Sequence, residues 1–159
     1  MAFIRIKKIK GKPYGYVVSN TYRKRGNRVR QKTLAYLGKA IIPEKKFHTP
    51  FLAWINPPDP LTYASSTVPE EIINDLVRWE KWKHGMSQEE IPVLKINHGH
   101  LCSYAITHIL TTFRNIQKES SEGAYERDYA LALADAFVKA GIEVPESVFI
   151  ALYQKATEK

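Results

Sequence analysis

Tyr14-Gly15-Tyr16-Val17-Val18-Ser19-Asn20-Thr21-Tyr22, then Arg23-Lys24-Arg25-Gly26-Asn27, then Arg28-Val29-Arg30-Gln31-Lys32-Thr33-Leu34-Ala35-Tyr36-Leu37, carries the strongest structural signal in the chain. Both long runs are rich in the β-branched and aromatic residues that suit a pleated surface, and the basic, glycine-containing segment between them is turn chemistry. On the amino-terminal side, Phe3 to Ile9 is another run of the same kind, set off by Gly11-Lys12-Pro13. The spacing predicts a three-stranded antiparallel meander over residues 2–37. Period-2 alternation sorts its faces. Ile4 and Ile6 point one way and Phe3, Arg5 and Lys7 the other, while Arg28, Arg30 and Lys32 share a face opposite Val29, Gln31 and Thr33. Tyr14 and Tyr16 project to one side of the middle strand and Val17 to the other.

The charge of the chain is concentrated in this same region. Fourteen of the twenty-four basic residues lie within the first forty-six positions, where Glu44 is the only acid, whereas the other 113 residues hold ten basic and fifteen acidic side chains. A dense basic field on a small module attracts polyanions and speeds encounter with them, so nucleic acid is the first partner to consider. Edge guarding against aggregation is the structural alternative for exposed lysines on strands, but a charge this dense exceeds what edge protection requires.

At 159 residues the chain fits one ordinary domain, or a small module fastened to a helical body. Its 44% hydrophobic and 25% charged residues are a globular composition, and no apolar run approaches the ~20 residues needed to span a bilayer. The opening Met-Ala-Phe-Ile-Arg-Ile-Lys-Lys alternates charge with apolar residues and does not read as a secretory signal. The single Cys102 can form neither an intramolecular disulfide nor a thiolate zinc cage, which fits a reducing compartment and a cytoplasmic location.

Beyond the basic module, Pro43, Pro50, Pro57, Pro58 and Pro60 interrupt a stretch that also holds Phe47, Phe51, Trp54 and Tyr63. Proline lacks the amide hydrogen that helices and central strands need, so residues 41–66 read as an extended strap pinned by its aromatics. Thr67 and Glu70 have capping-box spacing ahead of the apolar stripe Ile72, Ile73, Leu76 and Val77, with Gly85 as the stop. Ser87 and Glu90 repeat the cap pattern before Pro92, and Val93 to Ile96 reads as a brief strand or extended piece. Helices are expected at about Leu101 to Lys118, Tyr125 to Ala140 ending at Gly141, and Glu146 to Ala156. The predicted fold is α+β: a basic sheet module at 1–40, the strap at 41–66, and a helical domain of about four helices at 67–159.

The segment from Phe3-Ile4-Arg5-Ile6-Lys7-Lys8 through Gly11-Lys12-Pro13-Tyr14-Gly15-Tyr16 and Arg28-Val29-Arg30-Gln31-Lys32 to Leu34-Ala35-Tyr36-Leu37-Gly38 resembles the amino-terminal module of certain insertion-sequence transposases and related mobile-element proteins. It is also similar to the three-stranded arm-binding domains of tyrosine recombinases, which lay a sheet in a DNA groove. The resemblance covers about the first quarter of the chain. Transposases of that kind need a nuclease-like domain presenting three carboxylates to divalent metal, and the remaining residues are too few for it. What the resemblance implies is therefore DNA binding without transposition, by a protein of a mobile element, virus or genomic island.

The physical reading agrees. A two- or three-stranded ribbon fits the major groove, where Arg28, Arg30, Lys32 and Gln31 can reach base edges or phosphates. Arg23, Lys24 and Arg25 would bracket the backbone, with Arg5, Lys7 and Lys12 adding charge, and Tyr14 and Tyr16 binding phosphates or stacking on unpaired bases. The expectation is that these cations converge on one open surface that binds double-stranded DNA, with the helical body giving support and self-association. No catalytic residue, cofactor or membrane association is expected.

Asn97-His98-Gly99-His100 is the sharpest motif outside that region. Its two histidines are similar to the metal-binding pair of rolling-circle endonucleases, with Tyr104 or Tyr125 as nucleophile toward DNA. That family favours a bulky apolar residue between the histidines on a central strand, and here Gly99 takes that place. A turn and helix start whose histidines cap or pack is the competing reading. Metal-dependent nicking, RNA binding and a protein-interaction role through the helices stay open as alternatives.

Overall fold

The computed structural model describes residues 2–23, 26, 28–88, 92–122 and 128–158, with Arg23 described in its backbone only. Lys24, Arg25, Glu90 and Tyr125, all invoked above, lie outside the described residues.

Three strands form as the alternating pattern requires: β1 (Ala2–Ile9), β2 (Lys12–Arg23) and β3 (Arg28–Ile41). They pair antiparallel in chain order, β1 on β2 from Ala2↔Ser19 to Ile9↔Lys12, and β2 on β3 from Tyr14↔Lys39 to Arg23↔Arg28. The β1–β2 connection is a tight turn at Lys10 and Gly11, both in the left-handed region with φ of 49° and 77°. Lys12 therefore begins the second strand instead of belonging to the turn.

The sheet does not end at three strands. β4 (Val93–Ile96) joins the end of β3 in parallel through Ala40↔Val93 and Ile41↔Leu94, and β5 (Gly99–Leu101) folds back on β4, giving the order β1-β2-β3-β4-β5. Among the described residues six helices accompany it. Two are short turns within the strap, α1 (Phe51–Ile55) and α2 (Tyr63–Ser66), so the strap is not extended throughout. The others are α3 (Pro69–Lys83), α4 (Ser103–Ser121), α5 (Tyr129–Ala140) and α6 (Glu146–Thr157). Among the described residues the expected counts of three strands and about four helices thus rise to five and six, and the segment 67–159 expected to be helical also contains β4 and β5, which lie between α3 and α4 and complete the amino-terminal sheet.

Two expected helix starts move. Thr67 closes α2, its amide bonded to Tyr63 O, and α3 begins at Pro69 with no side-chain cap on Val68. Proline at the first helical position sacrifices only an amide that would be unpaired anyway, and its fixed φ suits the turn. Leu101 belongs to β5 and Cys102 is still extended, so α4 starts at Ser103. α5 ends at Gly141 in the left-handed conformation, where the sequence places it.

The core lies between the helices and the β4–β5 end of the sheet. Ile72, Leu76, Leu94, Leu101, Ile109, Phe113, Leu133, Phe137 and Leu152 are buried together, and Ile4, Ile6 and Leu37 pack against them from the longer strands. Gly15 lies so close to this body that a Cβ there would stand 2.6 Å from Val93 Cγ2. The strap is tied down as its aromatics suggest: Phe47 stacks on Trp82 at 4.7 Å, Phe51 meets Trp79 edge-on at 5.5 Å, and Trp79 Nε1 donates to Thr49 O at 3.0 Å. Trp79 and Trp82 are packing residues of this seam.

Candidate nucleic-acid interface

The β1–β2 register stops at Ala2↔Ser19, but β2 and β3 stay paired through Arg23↔Arg28. Residues 20–23 and 28–31 therefore form a two-stranded arm that runs past the edge of β1, with no third strand beside it among the described residues. Strand chemistry explains its persistence: Thr21, Tyr22 and Val29 favour extended backbone, and Asn20 and Gln31, paired across the strands, are bonded through their side chains at 3.2 Å. Its described side chains are exposed or, for Gln31, half-buried.

Register fixes which side chains share a face. Ile4, Ile6, Gly15 and Val17 lie on the side turned to the body, and continuing along it come Lys32, Thr21, Arg30 and Arg28. The opposite, outward side carries Phe3, Arg5, Lys7, Tyr14, Tyr16, Asn20, Gln31 and Lys39. The cations thus do not converge on one face, contrary to the sequence expectation. Arg28, Arg30 and Lys32 are on one side, Arg5 and Lys7 on the other, because the odd positions of β1 and the even positions of β3 face opposite ways. Lys12 is on the outward side but near the β1–β2 turn, about 36 Å from Arg23 along an extended strand. Within the arm the division matters little, since both sides of an isolated ribbon are open.

The outward side is organised by more than charge. The Tyr36 ring lies 5.2 Å from Tyr16 and 6.3 Å from Tyr14, and Lys7 Nζ sits 5.0 Å over the Tyr16 ring. Arg5 Nη1 donates to Gln31 Oε1 across β2, above the buried Val18. Tyr36 and Lys39 were missed by sequence reasoning. Strict alternation from Arg28 would send Tyr36 to the side of Arg28, but register shifts within β2–β3 place it opposite Tyr16.

The histidine motif is gathered elsewhere. β4 and β5 are joined by a two-residue turn in which Asn97 and His98 both have left-handed backbone, φ 45° and 65°. His98, His100, Tyr104 and His108 line one cavity of about 510 Å³ with Ala2, Phe3 and Ile4 of β1. Burial, and then the charge of Lys95, lower the basicity of His100. Among the described residues, no group of three or more His, Cys, Asp or Glu side chains has the geometry to hold a metal ion. Cys102 is buried at the head of α4, and burial pushes its thiol up, away from the reactive thiolate.

A buried charge cluster escaped the sequence reading altogether. Glu80, fully buried, accepts from Lys83 Nζ at 2.8 Å, from the Glu143 amide at 2.8 Å and from Asn97 Nδ2 at 3.3 Å. Lys83 also reaches Glu143 Oε2 at 2.6 Å and lies 3.6 Å over the Trp79 ring. Burial holds the Glu80 carboxyl above its usual range; burial also opposes ionisation of Glu143, but Lys83 and Lys45 keep that carboxyl below it. The cluster ties α3 to the β4–β5 turn and to the segment after α5, which makes it a structural clamp. No described helix is long and apolar enough to cross a membrane. Compared with protein-family models, curated proteins and solved structures, the chain matches none of them.

Proposed function

We propose that this protein binds nucleic acid, double-stranded DNA before other forms, by laying the β2–β3 arm in the major groove. The observation that carries the reading is the extension of β2–β3 pairing beyond β1, which leaves a bare two-stranded ribbon bearing Arg28 and Arg30. A ribbon of this width is one of the few protein elements the major groove admits. Arg28 and Arg30 reach phosphates or base edges from one side of the ribbon, Gln31 and Asn20 from the other, and Lys32, Arg5 and Lys7 supply charge toward the flanking backbone. The resemblance to transposase amino-terminal modules supports an origin in a mobile element, virus or genomic island. The reading includes no reaction and no cofactor; the helical body supports the sheet and provides for self-association.

The test is an electrophoretic shift panel of duplex DNA, single-stranded DNA and structured RNA at two salt concentrations, with the parent and with Arg28→Glu, Arg30→Glu and Lys32→Glu combined. Duplex is expected to bind best, the affinity to fall steeply with salt, and the triple variant to lose most of it. Undiminished duplex binding by the variant at moderate salt overturns the assignment, and preference for RNA moves it to another class of partner.

A further inference from the structure

The cavity between β1 and the β5–α4 junction has the chemistry of a ligand site. Its volume of about 510 Å³ lies within the range of small-molecule pockets. The described lining holds no carboxylate. It combines three imidazoles, His98, His100 and His108, with the Tyr104 hydroxyl and the Lys139 ammonium, against an apolar wall that includes Ile4, Ala105 and Ala136. Lys139 is held in place by Asp135 at 2.6 Å, which offsets part of its charge, so the imidazole N–H groups and the phenol are the principal donors.

The backbone beneath this cavity is built at a cost. A two-residue hairpin turn with positive φ at both positions favours Asn-Gly, and here the glycine position is His98, with φ 65°. A left-handed conformation is unfavourable for a residue with a Cβ. The turn is nevertheless locked: Asn97 Nδ2 donates to Gly141 O at 2.9 Å and to Glu80 Oε2 at 3.3 Å. Gly99 leaves no slack either, since a Cβ there would stand 2.5 Å from both Gly141 Cα and Val138 O. His98 and His100 are thus presented from a fixed platform, and the strained residue is one whose side chain lines the cavity.

We propose that this cavity binds a phosphate monoester carrying a flat or apolar body, the chemistry of a mononucleotide, with the imidazoles, Tyr104 and Lys139 around the phosphate and the apolar wall of Ile4, Ala105 and Ala136 against the body. Several convergent donors suit the three terminal oxygens of a phosphate. The ligand is either a free nucleotide or the phosphorylated end of a strand. The proposal does not depend on the arm.

Calorimetric titration of the full chain with adenosine 5′-monophosphate, adenosine and inorganic phosphate tests it. The monophosphate is expected to bind at least tenfold tighter than either of the others. His98→Gly should weaken it about tenfold while raising the thermal midpoint by about 2–4 °C, because glycine relieves the turn. His108→Gln, on an exposed helix position, should weaken it without moving the midpoint. Comparing a 5′-phosphorylated strand with its 5′-hydroxyl twin separates the two sources, since the arm contributes equally to both. A phosphate-dependent difference for the strand alone assigns the site to strand ends, and tight binding of the free nucleotide assigns it to a soluble ligand. Equal binding of monophosphate and adenosine together with equal binding of the 5′-phosphorylated and 5′-hydroxyl strands, or an unchanged affinity for the phosphorylated ligand in His98→Gly, overturns the proposal.

Discussion

Lys83 and Glu80 set the stability of the helical body at the level of single side chains. Both are essentially fully buried, and removing Lys83 leaves the Glu80 carboxyl buried without its cation. Lys83→Ala is expected to cost about 3–5 kcal/mol, read by urea unfolding. Gly99→Ala should be comparably severe, about 3 kcal/mol or more, because the new Cβ meets backbone that cannot rotate away. His84 gives a pH signature. Burial lowers its basicity from the usual 6.5, so between the lowered value and 6.5 the unfolded chain holds a proton that the folded chain lacks, and stability falls as pH drops through that window. Glu80 works in the opposite sense: its raised carboxyl binds a proton in the folded state first, which favours folding on acidification. The difference between parent and His84→Gln melting curves from pH 7 to 5 isolates the histidine, and the variant should lose less stability. None of this cluster was legible beforehand. Glu80 and Lys83 have the composition of a solvated helix face, and only the docking of the β4–β5 turn and the segment after α5 encloses them.

At the scale of elements, the three long strands and four longer helices were readable because each carries its own periodicity. β4 was readable only as a brief strand or extended piece and β5 not at all, being four and three residues long, with β4 held by pairing to β3 across some fifty positions of chain and β5 by folding back on β4. The site was half legible. The alternation that put Arg28, Arg30 and Lys32 together holds, but the divergence of that face from Arg5 and Lys7 needed the register between strands, and Tyr36 needed the β3 irregularities. Those irregularities create the Tyr14–Tyr16–Tyr36 cluster, which distinguishes duplex from single-strand binding. Stacking of unpaired bases on an aromatic contributes about 1–3 kcal/mol per base. If the arm reads duplex, Tyr36→Ala should change duplex affinity by less than about 1 kcal/mol by fluorescence anisotropy while weakening whatever single-strand binding exists.

The whole molecule separates charge from core. The basic sheet is anchored to an acidic body through β4, and the arm runs past β1. Docking through such an arm releases counterions, so the slope of log affinity against log salt should shrink by about three when Arg28, Arg30 and Lys32 are reversed, if each neutralises one phosphate. The most direct measurement removes the arm itself. Ser19 and Lys32 face each other at the last level supported by β1, so replacing residues 20–31 with Asn-Gly closes the hairpin there and leaves the core untouched. The arm-less chain should melt within a few degrees of the parent and bind duplex DNA on the order of a hundredfold more weakly at 0.1 M salt. A correctly folded arm-less chain that binds duplex as tightly as the parent would contradict the account.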